Sequence, residues 1–367
     1  MGQNCRMGIV LLSLVLVLGV LPGGGVQAQD RLQVVASTSI LADIAASVAG
    51  EAAEVVSLMP PGADPHSYTP SPQDLVRLAQ ADLILIVGAN LEESLLETIR
   101  GAAPDLAPVT VSTCVDILPF GKFPETGELE EYLLSGDVGT FAGQCAAHQE
   151  ELASIGLLPP PTEGRLGPLY QLDCGGEEQA GDEHAHGRCD PHVWTDPYNA
   201  MLWALMIRDA LSERDPANAA VYAATATAII DTLQTLVREE IAPMLATIPE
   251  GNRLLVTNHL TFNYYASAFG LKVLGTVIPG ASTLAEPSAA DIARLISDIR
   301  ATGVPAVFTE TIANPALAEQ IARETGVRFY TLYTGSLSEP GGPAATYPEY
   351  LRYNTRVITA ALGGTVN

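Results

Sequence analysis

Two stretches of this chain alternate apolar strand patterns with helical ones, and this alternation restricts the fold more than any other feature. In the first stretch, residues 33–37, 54–59 and 82–87 are apolar runs typical of strands. Ser39 is the expected cap of a helix that ends at Gly50, and the Ser-Pro-Gln-Asp sequence at 71–74 predicts a second helix start with a capping box. Strands that alternate with helices are typical of α/β layers with parallel sheets.

A long helical segment follows this first stretch. Residues 197–247 carry apolar residues at helical spacing, with one interruption where Asp-Pro occupies 215–216. A helix through the following residues would span about 40 Å at roughly 1.5 Å per residue. The alternation then restarts, with strands expected at 253–256, 272–278, 306–309 and 328–332. We therefore predict an α/β protein of two lobes with parallel sheets, joined by one long rigid helix.

The predicted organisation has four parts. Residues 1–28 form a leader, 29–196 an N-terminal α/β lobe, 197–250 the linking helical region and 251–367 a C-terminal α/β lobe. Within the first lobe, residues 119–190 are rich in glycine, proline and acids, and we interpret them as an insertion to which no regular structure is assigned.

The leader has the features of a secretory signal. Arg6 supplies a positive charge, residues 9–21 form an apolar run of 13, and the Val-Gln-Ala sequence at 26–28 is a small-residue cleavage site. This run is shorter than the roughly 18 residues of a membrane span, and no other segment is expected to cross a membrane. Cys5 precedes the apolar run, so no lipid-anchor cysteine is expected. The mature protein is predicted to be periplasmic or extracellular.

The charge balance argues against one class of partner. Removal of residues 1–28 leaves 17 basic and 42 acidic residues, a net charge of −25. Nucleic acids are bound through Lys and Arg that neutralise phosphates, so we expect no nucleic-acid partner. A negative field attracts cations, although it also serves solubility.

Four cysteines remain after the leader, and an even number in a secreted protein predicts two disulfides. Three pairings are possible. We favour Cys114–Cys145 and Cys174–Cys189 because these pairs close the shorter loops in sequence order. Thiolate ligation of a metal is the alternative, but the chain has no C-x-x-C pair.

Three histidines follow predicted strands: His66, His192 and His259. Loops at the carboxyl ends of strands surround the ligand crevice of an open α/β sheet, and imidazole is a common ligand of zinc. The three rings are therefore candidate ligands of one ion. His148 has no such spacing and is expected in solvent. His184 and His186 lie in an acidic segment that is either a solvated loop or a metal-gathering one.

These motifs resemble the metal-specific solute-binding proteins of bacterial zinc and manganese ABC importers. The resemblance rests on PHSYTPSPQD at 65–74, DPHVWTDP at 190–197, TNH at 257–259, AEPS at 285–288 and FTE at 308–310. Five motifs in this order are far more specific than one. The resemblance implies a metal site in a cleft between the lobes, delivery to a membrane permease, and no enzymatic activity.

The chain departs from the family at one ligand. The family places an Asp after its final strand, where this chain has YTGSL at 333–337 with Gly335 at the Asp position. Water, a loop histidine, Glu310 or Glu339 are the alternatives for the fourth ligand. Glu310 is better suited to accept an imidazole N–H and thereby orient the ring.

Three neutral imidazoles without an Asp favour Zn²⁺ as the transported ion, because Mn²⁺ prefers harder oxygen ligands. We expect a monomer that carries zinc to its permease. A manganese-binding homologue of the same type is the alternative. From other classes, a secreted zinc hydrolase with Glu310 as base and an interaction protein with a structural ion remain open.

Overall fold

The structure, a computed structural model, describes residues 1–2, 31–120, 133–134, 139–175, 188–280 and 283–366. From Leu32 onward the chain forms one compact unit. Strands and helices alternate as the sequence predicts, and the two stretches of alternation build separate sheets. The α/β class with two lobes and a long joining helix is confirmed. The domain limits given above stay predictions.

The N-terminal sheet has four parallel strands in the order β2-β1-β3-β4. The elements in chain order are β1 (Leu32–Ala36), α1 (Ser39–Ala49), β2 (Ala53–Ser57), α2 (Pro72–Ala79), β3 (Leu83–Ile86), α3 (Glu93–Ala102) and β4 (Val109–Thr110). Alternate side chains of one strand enter different cores, because successive residues of a strand point to opposite faces. Val34 on β1 joins the main core with α1, whereas Val35 packs beneath α2 and α3.

Both predicted helix starts occur, with one correction. Ser71 and Asp74 form the capping box at the start of α2. Thr38, and not Ser39, caps α1, because the Thr38 side chain accepts the backbone N–H of Leu41. Ser39 is already in the first turn, and its hydroxyl contacts the distant Ser336.

The C-terminal half contains two parallel strand pairs, β7–β8 and β9–β10. Its elements are β7 (Leu254–Thr257), α8 (Asn263–Phe269), β8 (Lys272–Thr276), α9 (Ala289–Thr302), β9 (Ala306–Glu310), α10 (Ala316–Thr325), β10 (Arg328–Leu332) and α11 (Tyr347–Ala361). The same alternation recurs on β9, where Phe308 enters the main core and Val307 packs beneath α9 and α10. One main core therefore extends through both halves.

The linking region consists of α5 (Pro197–Arg214), a 3₁₀ turn, α6 (Ala219–Leu236), a π turn at Val237–Ile241 and α7 (Ala242–Ala246). The break at Asp215 falls where the sequence predicts it. The π turn was not predicted. It precedes Pro243, which has no N–H to donate to the preceding turn, and a wider turn accommodates that loss.

By length and apolar composition, Pro216–Ala246 could cross a membrane, so the expectation that no segment after the leader could do so was too broad. In the structure this helix packs one face, which includes Tyr222, Ile230 and Leu233, against α1 and α5. The apolar residues of this buried face are explained by its packing, and the length of the helix fits its position between the two halves.

The segment at 119–190 leaves and rejoins the N-terminal half at one point. Phe120 donates to the carbonyl of Arg188 at 2.8 Å, and Asp190 donates to that of Leu118 at 2.9 Å. Between these ends lie α4 (Gly139–Ser154) and β6 (Gly167–Pro168), and β6 pairs antiparallel with β5 (Asp116–Ile117), which comes just before the segment. Regular structure is therefore present where none was assigned.

His148 on α4 is buried at 2% exposure, so its expected position in solvent was wrong. Its Nε2 lies 2.8 Å from Asp209 Oδ2 on α5. Burial alone would raise the pKa of Asp209, but hydrogen bonds from His148 and Arg208 outweigh it and lower the pKa to about 2. The ring therefore fixes α4 on α5, a contact that spacing in the sequence does not reveal.

Both favoured disulfides are present, Cys114–Cys145 and Cys174–Cys189. The first joins the segment after β4 to α4, beside His148. The second holds residues 174 and 189 together immediately before Asp190.

Replacing both Cys114 and Cys145 with Ala should lower the free energy of unfolding by about 3–4 kcal/mol, because this bridge closes a 31-residue separation. Urea unfolding monitored by circular dichroism measures the loss. The matched Cys174/Cys189 double variant, with a separation of 15, should lose slightly less. An unchanged midpoint in the first variant would contradict the stabilising role.

Candidate metal centre

The three predicted histidines converge on one point. His66 lies in the loop between β2 and α2, His192 precedes the 3₁₀ turn that leads into α5, and His259 follows β7. His192 Nε2 is 3.2 Å from His66 Nε2 and 3.1 Å from His259 Nε2. Four nitrogens around one zinc ion at 2.0–2.1 Å are about 3.3 Å apart. The spacing of the rings is therefore that of ligands to a common ion.

Two of these histidines occur in the same tripeptide, Asp-Pro-His, at 64–66 and at 190–192. In both, the aspartate Oδ1 accepts the backbone N–H of the histidine at 3.0 Å. This turn closes on the Asp side chain, as Asx turns do. It fixes the direction in which each histidine leaves the backbone.

Asp190 also orients the His192 ring, because its Oδ1 lies 2.8 Å from Nδ1. This role of Asp190 was not predicted from the sequence. The signal was available, since an acid two residues before a candidate ligand in a proline turn lies within reach of the ring. A carboxylate on Nδ1 leaves Nε2 for the ion and increases its basicity.

Glu310 at the end of β9 orients His259 in the expected way. Its Oε1 lies 2.6 Å from Nδ1 and 3.1 Å from the backbone nitrogen of His259. Its Oε2 accepts the Thr334 hydroxyl at 2.8 Å. Protein donors contact both oxygens, and Glu310 therefore holds the ring of His259.

The two buried rings have opposite pKa shifts. Burial lowers the pKa of His192 well below its ordinary 6.5, and neighbouring His259 lowers it further. Burial also opposes charge on His259, but the Glu310 carboxylate outweighs it and raises the pKa of His259. Burial raises the pKa of Asp190 to about 7, although the N–H of His192 and the amide of Asn263 oppose this. His192 is therefore neutral, as a metal ligand must be, whereas a proton competes for His259.

Position 335 offers no ligand and no space for one. A Cβ on Gly335 would lie 2.8 Å from Pro65 Cδ and 3.1 Å from Ile312 Cδ1. Carbon atoms in contact are normally about 3.5–4.0 Å apart. The ring of Pro65 thus occupies the space that a side chain at position 335 would need.

Among the described candidates for the fourth ligand, Glu339 does not reach the rings. Glu339 is exposed, and among the described His, Cys, Asp and Glu side chains the group that could hold an ion consists of the three histidines. His184 and His186 lie outside the described residues.

The rings are enclosed by residues that sequence reasoning did not single out. Trp194 packs edge-on to His192 with ring centres 5.3 Å apart. Asn263 donates to Asp190 Oδ2 at 3.0 Å, and the Tyr264 hydroxyl donates to the Asp190 carbonyl at 2.8 Å. Their positions depend on α8 packing beside the 3₁₀ turn, which local patterns do not predict.

With this geometry established, comparison with known proteins is informative. The family described as "Zinc-uptake complex component A periplasmic" matches residues 34–361. The chain belongs to this family. It is a substrate-binding protein of an ABC importer for divalent metal ions, it acts outside the cytoplasm with a membrane permease, and it is not an enzyme.

Relatives within this family differ in the metal that their names give. The manganese-binding lipoprotein MntA of Halalkalibacterium halodurans is 28% identical over 91% of this chain and 89% of the relative. The iron-binding protein YfeA of Yersinia pestis is 29% identical over 91% of this chain and 87% of its own length. The periplasmic zinc-binding protein TroA of Treponema pallidum has a TM-score of 0.66 at 24% identity, covers 90% of this chain and 99% of its own, and shares the fold.

In the metal-free protein, His259 should titrate above pH 6.5 and His192 should titrate well below pH 6.5. Replacing Glu310 with Gln removes the charge that raises the pKa of His259, so that burial dominates and the pKa falls below 6.5. Imidazole NMR titration measures both rings after chelator treatment. Titration of His259 below 6.5 in the unmodified protein would contradict this account.

Proposed function

We propose that the protein captures Zn²⁺ outside the cytoplasm through His66, His192 and His259 and delivers it to its permease. The observation that carries the proposal is that Nε2 of His192 lies 3.1–3.2 Å from Nε2 of both His66 and His259, with the ligand atoms of all three within 4.8 Å of one another. Two of the rings are already oriented by carboxylates on Nδ1. A site arranged in this way loses little ordering entropy when the ion enters.

The donor set favours zinc over manganese. The three gathered ligand atoms are imidazole nitrogens, and the Asp position of the family holds glycine. Zn²⁺ is satisfied by four-coordinate nitrogen sites, whereas Mn²⁺ prefers oxygen donors. A water completes the coordination in this proposal. The relatives' names include manganese, iron and zinc, so the choice rests on the ligands themselves; a manganese-binding homologue of the same type is the alternative.

The proposal extends to the cellular location of the protein and to its oligomeric state. Several relatives are named lipoproteins, whereas in this chain Cys5 precedes the apolar run of the leader. We propose that the protein is periplasmic or extracellular and that it acts as a monomer. The segment with His184 and His186 is attached immediately before Asp190 through the Cys174–Cys189 bridge. We propose that it collects metal near the site.

The mature protein should bind one Zn²⁺ per chain and prefer it to Mn²⁺ in competition. Replacing His192 with Ala removes the central ring and should weaken zinc binding more than about 100-fold, beyond the 10–100-fold typical of losing an orienting partner. Metal analysis and chelator competition measure both values. The His148→Gln variant is the matched control, because this histidine lies on α4 and bonds to Asp209. Stronger binding of Mn²⁺ than Zn²⁺ would favour the alternative.

Zinc affinity should fall as the pH falls, beginning above pH 6.5. Ligation needs neutral imidazole, and the pKa of His259 is raised, so protons displace the ion earlier than at an ordinary histidine. Between pH 7.5 and 5.5 the affinity should drop at least about tenfold. Competition titrations at several pH values measure the slope, and a flat profile would argue against imidazole ligation.

A further inference from the structure

The loop that carries His66 is attached to two separate segments of the C-terminal half. We define the His66 loop as residues 60–67. Its Asp64 Oδ2 accepts the Thr283 hydroxyl at 2.5 Å. Its Gly62 donates its backbone N–H to Ser336 Oγ at 2.7 Å. These bonds connect residues more than 200 positions apart and hold the loop against the C-terminal half.

Asp64 links this attachment directly to the ligand. The same carboxylate accepts the backbone N–H of His66 at 3.0 Å, the Ser67 hydroxyl at 3.0 Å and the Thr283 hydroxyl. A change at Thr283 is therefore transmitted to the backbone of His66 through one side chain.

Gly335 gives the loop the space that it needs. Pro65 lies so close that a Cβ at position 335 would be 2.8 Å from its ring. The neighbouring Ser336 not only accepts from Gly62 but also contacts the Ser39 hydroxyl of α1 at 3.1 Å. The absence of a side chain at 335 thus allows the His66 loop to lie directly on this segment.

His66 is the ligand on which such an attachment acts most. His192 and His259 are buried at 0% and 1% exposure, whereas His66 is partly exposed. Both buried rings are held by carboxylates on their Nδ1 atoms. The backbone of His66 is fixed by Asp64, and therefore by the position of the His66 loop.

We propose that Asp64, Thr283 and Gly335 form a clasp that holds His66 over the ion and sets the rate of metal release. The clasp residues are positioning residues that act through His66, and the proposal rests on the zinc-binding function given above. Breaking one bond of the clasp lets His66 leave the ion more often, while His192 and His259 still receive it. The clasp therefore controls dissociation more than association.

The test measures zinc release from the mature protein into excess chelator by stopped flow. Thr283→Val keeps the shape but removes the hydroxyl, and it should speed release about tenfold, because the lost bond is to a charged acceptor. The association rate and the one-ion stoichiometry should stay unchanged. Thr283→Ser restores the hydroxyl and should return release to near the original rate. Gly335→Ala should also speed release, by displacing Pro65.

Thr302→Val is the matched control, because this threonine lies in the same half and its hydroxyl bonds within its own helix. It should release zinc at the original rate. If the unmodified protein binds zinc and Thr283→Val releases it at an unchanged rate, the clasp is overturned and the zinc-binding function stands. If the unmodified protein binds no zinc, the proposed function fails and the clasp fails with it.

Discussion

The arrangement of the site depends on two carboxylates that each hold the Nδ1 side of a buried imidazole. Asp190 fixes His192, and Glu310 fixes His259. Both rings are almost fully buried, so without these partners each would lose a hydrogen bond to water and gain nothing in return. With the partners present, both rings direct Nε2 toward the same point. The convergence is thus a consequence of hydrogen bonding behind the rings.

The fold supplies these carboxylates from opposite sides. Glu310 is the last residue of β9 and reaches His259 just after β7, a strand of the other parallel pair that is in contact with β9. Asp190 comes where the 119–190 segment rejoins the N-terminal half, and Asn263 and Tyr264 of α8 hold it there. A site built from these parts requires the shared core that runs through α5 and α6.

The sequence predicted the elements whose signals are local. Strands, capping residues such as Ser71, the break at Asp215 and the three histidines were identified because apolar periodicity and turn residues mark them. His148 was missed because its burial depends on the packing of α4 on α5. The π turn before Pro243 was not predicted, and Ser39 was named as the cap of α1 in place of Thr38, because apolar periodicity does not distinguish these local features. The role of Asp190 was also missed, although it is local. An acid two residues before a histidine in a proline turn lies within reach of the imidazole Nδ1.

Glycine at position 335 need not leave the charge of a bound ion uncompensated. Three neutral imidazoles supply no negative charge, but Asp190 and Glu310 stand directly behind two of them. Burial raises the pKa of Asp190, whereas a divalent cation next to His192 favours the charged carboxylate, as any nearby opposite charge does. The charge that an Asp at position 335 would provide directly then comes through the imidazole. Such indirect compensation suits a carrier, because these carboxylates stabilise the ion without forming bonds to it that must break on release.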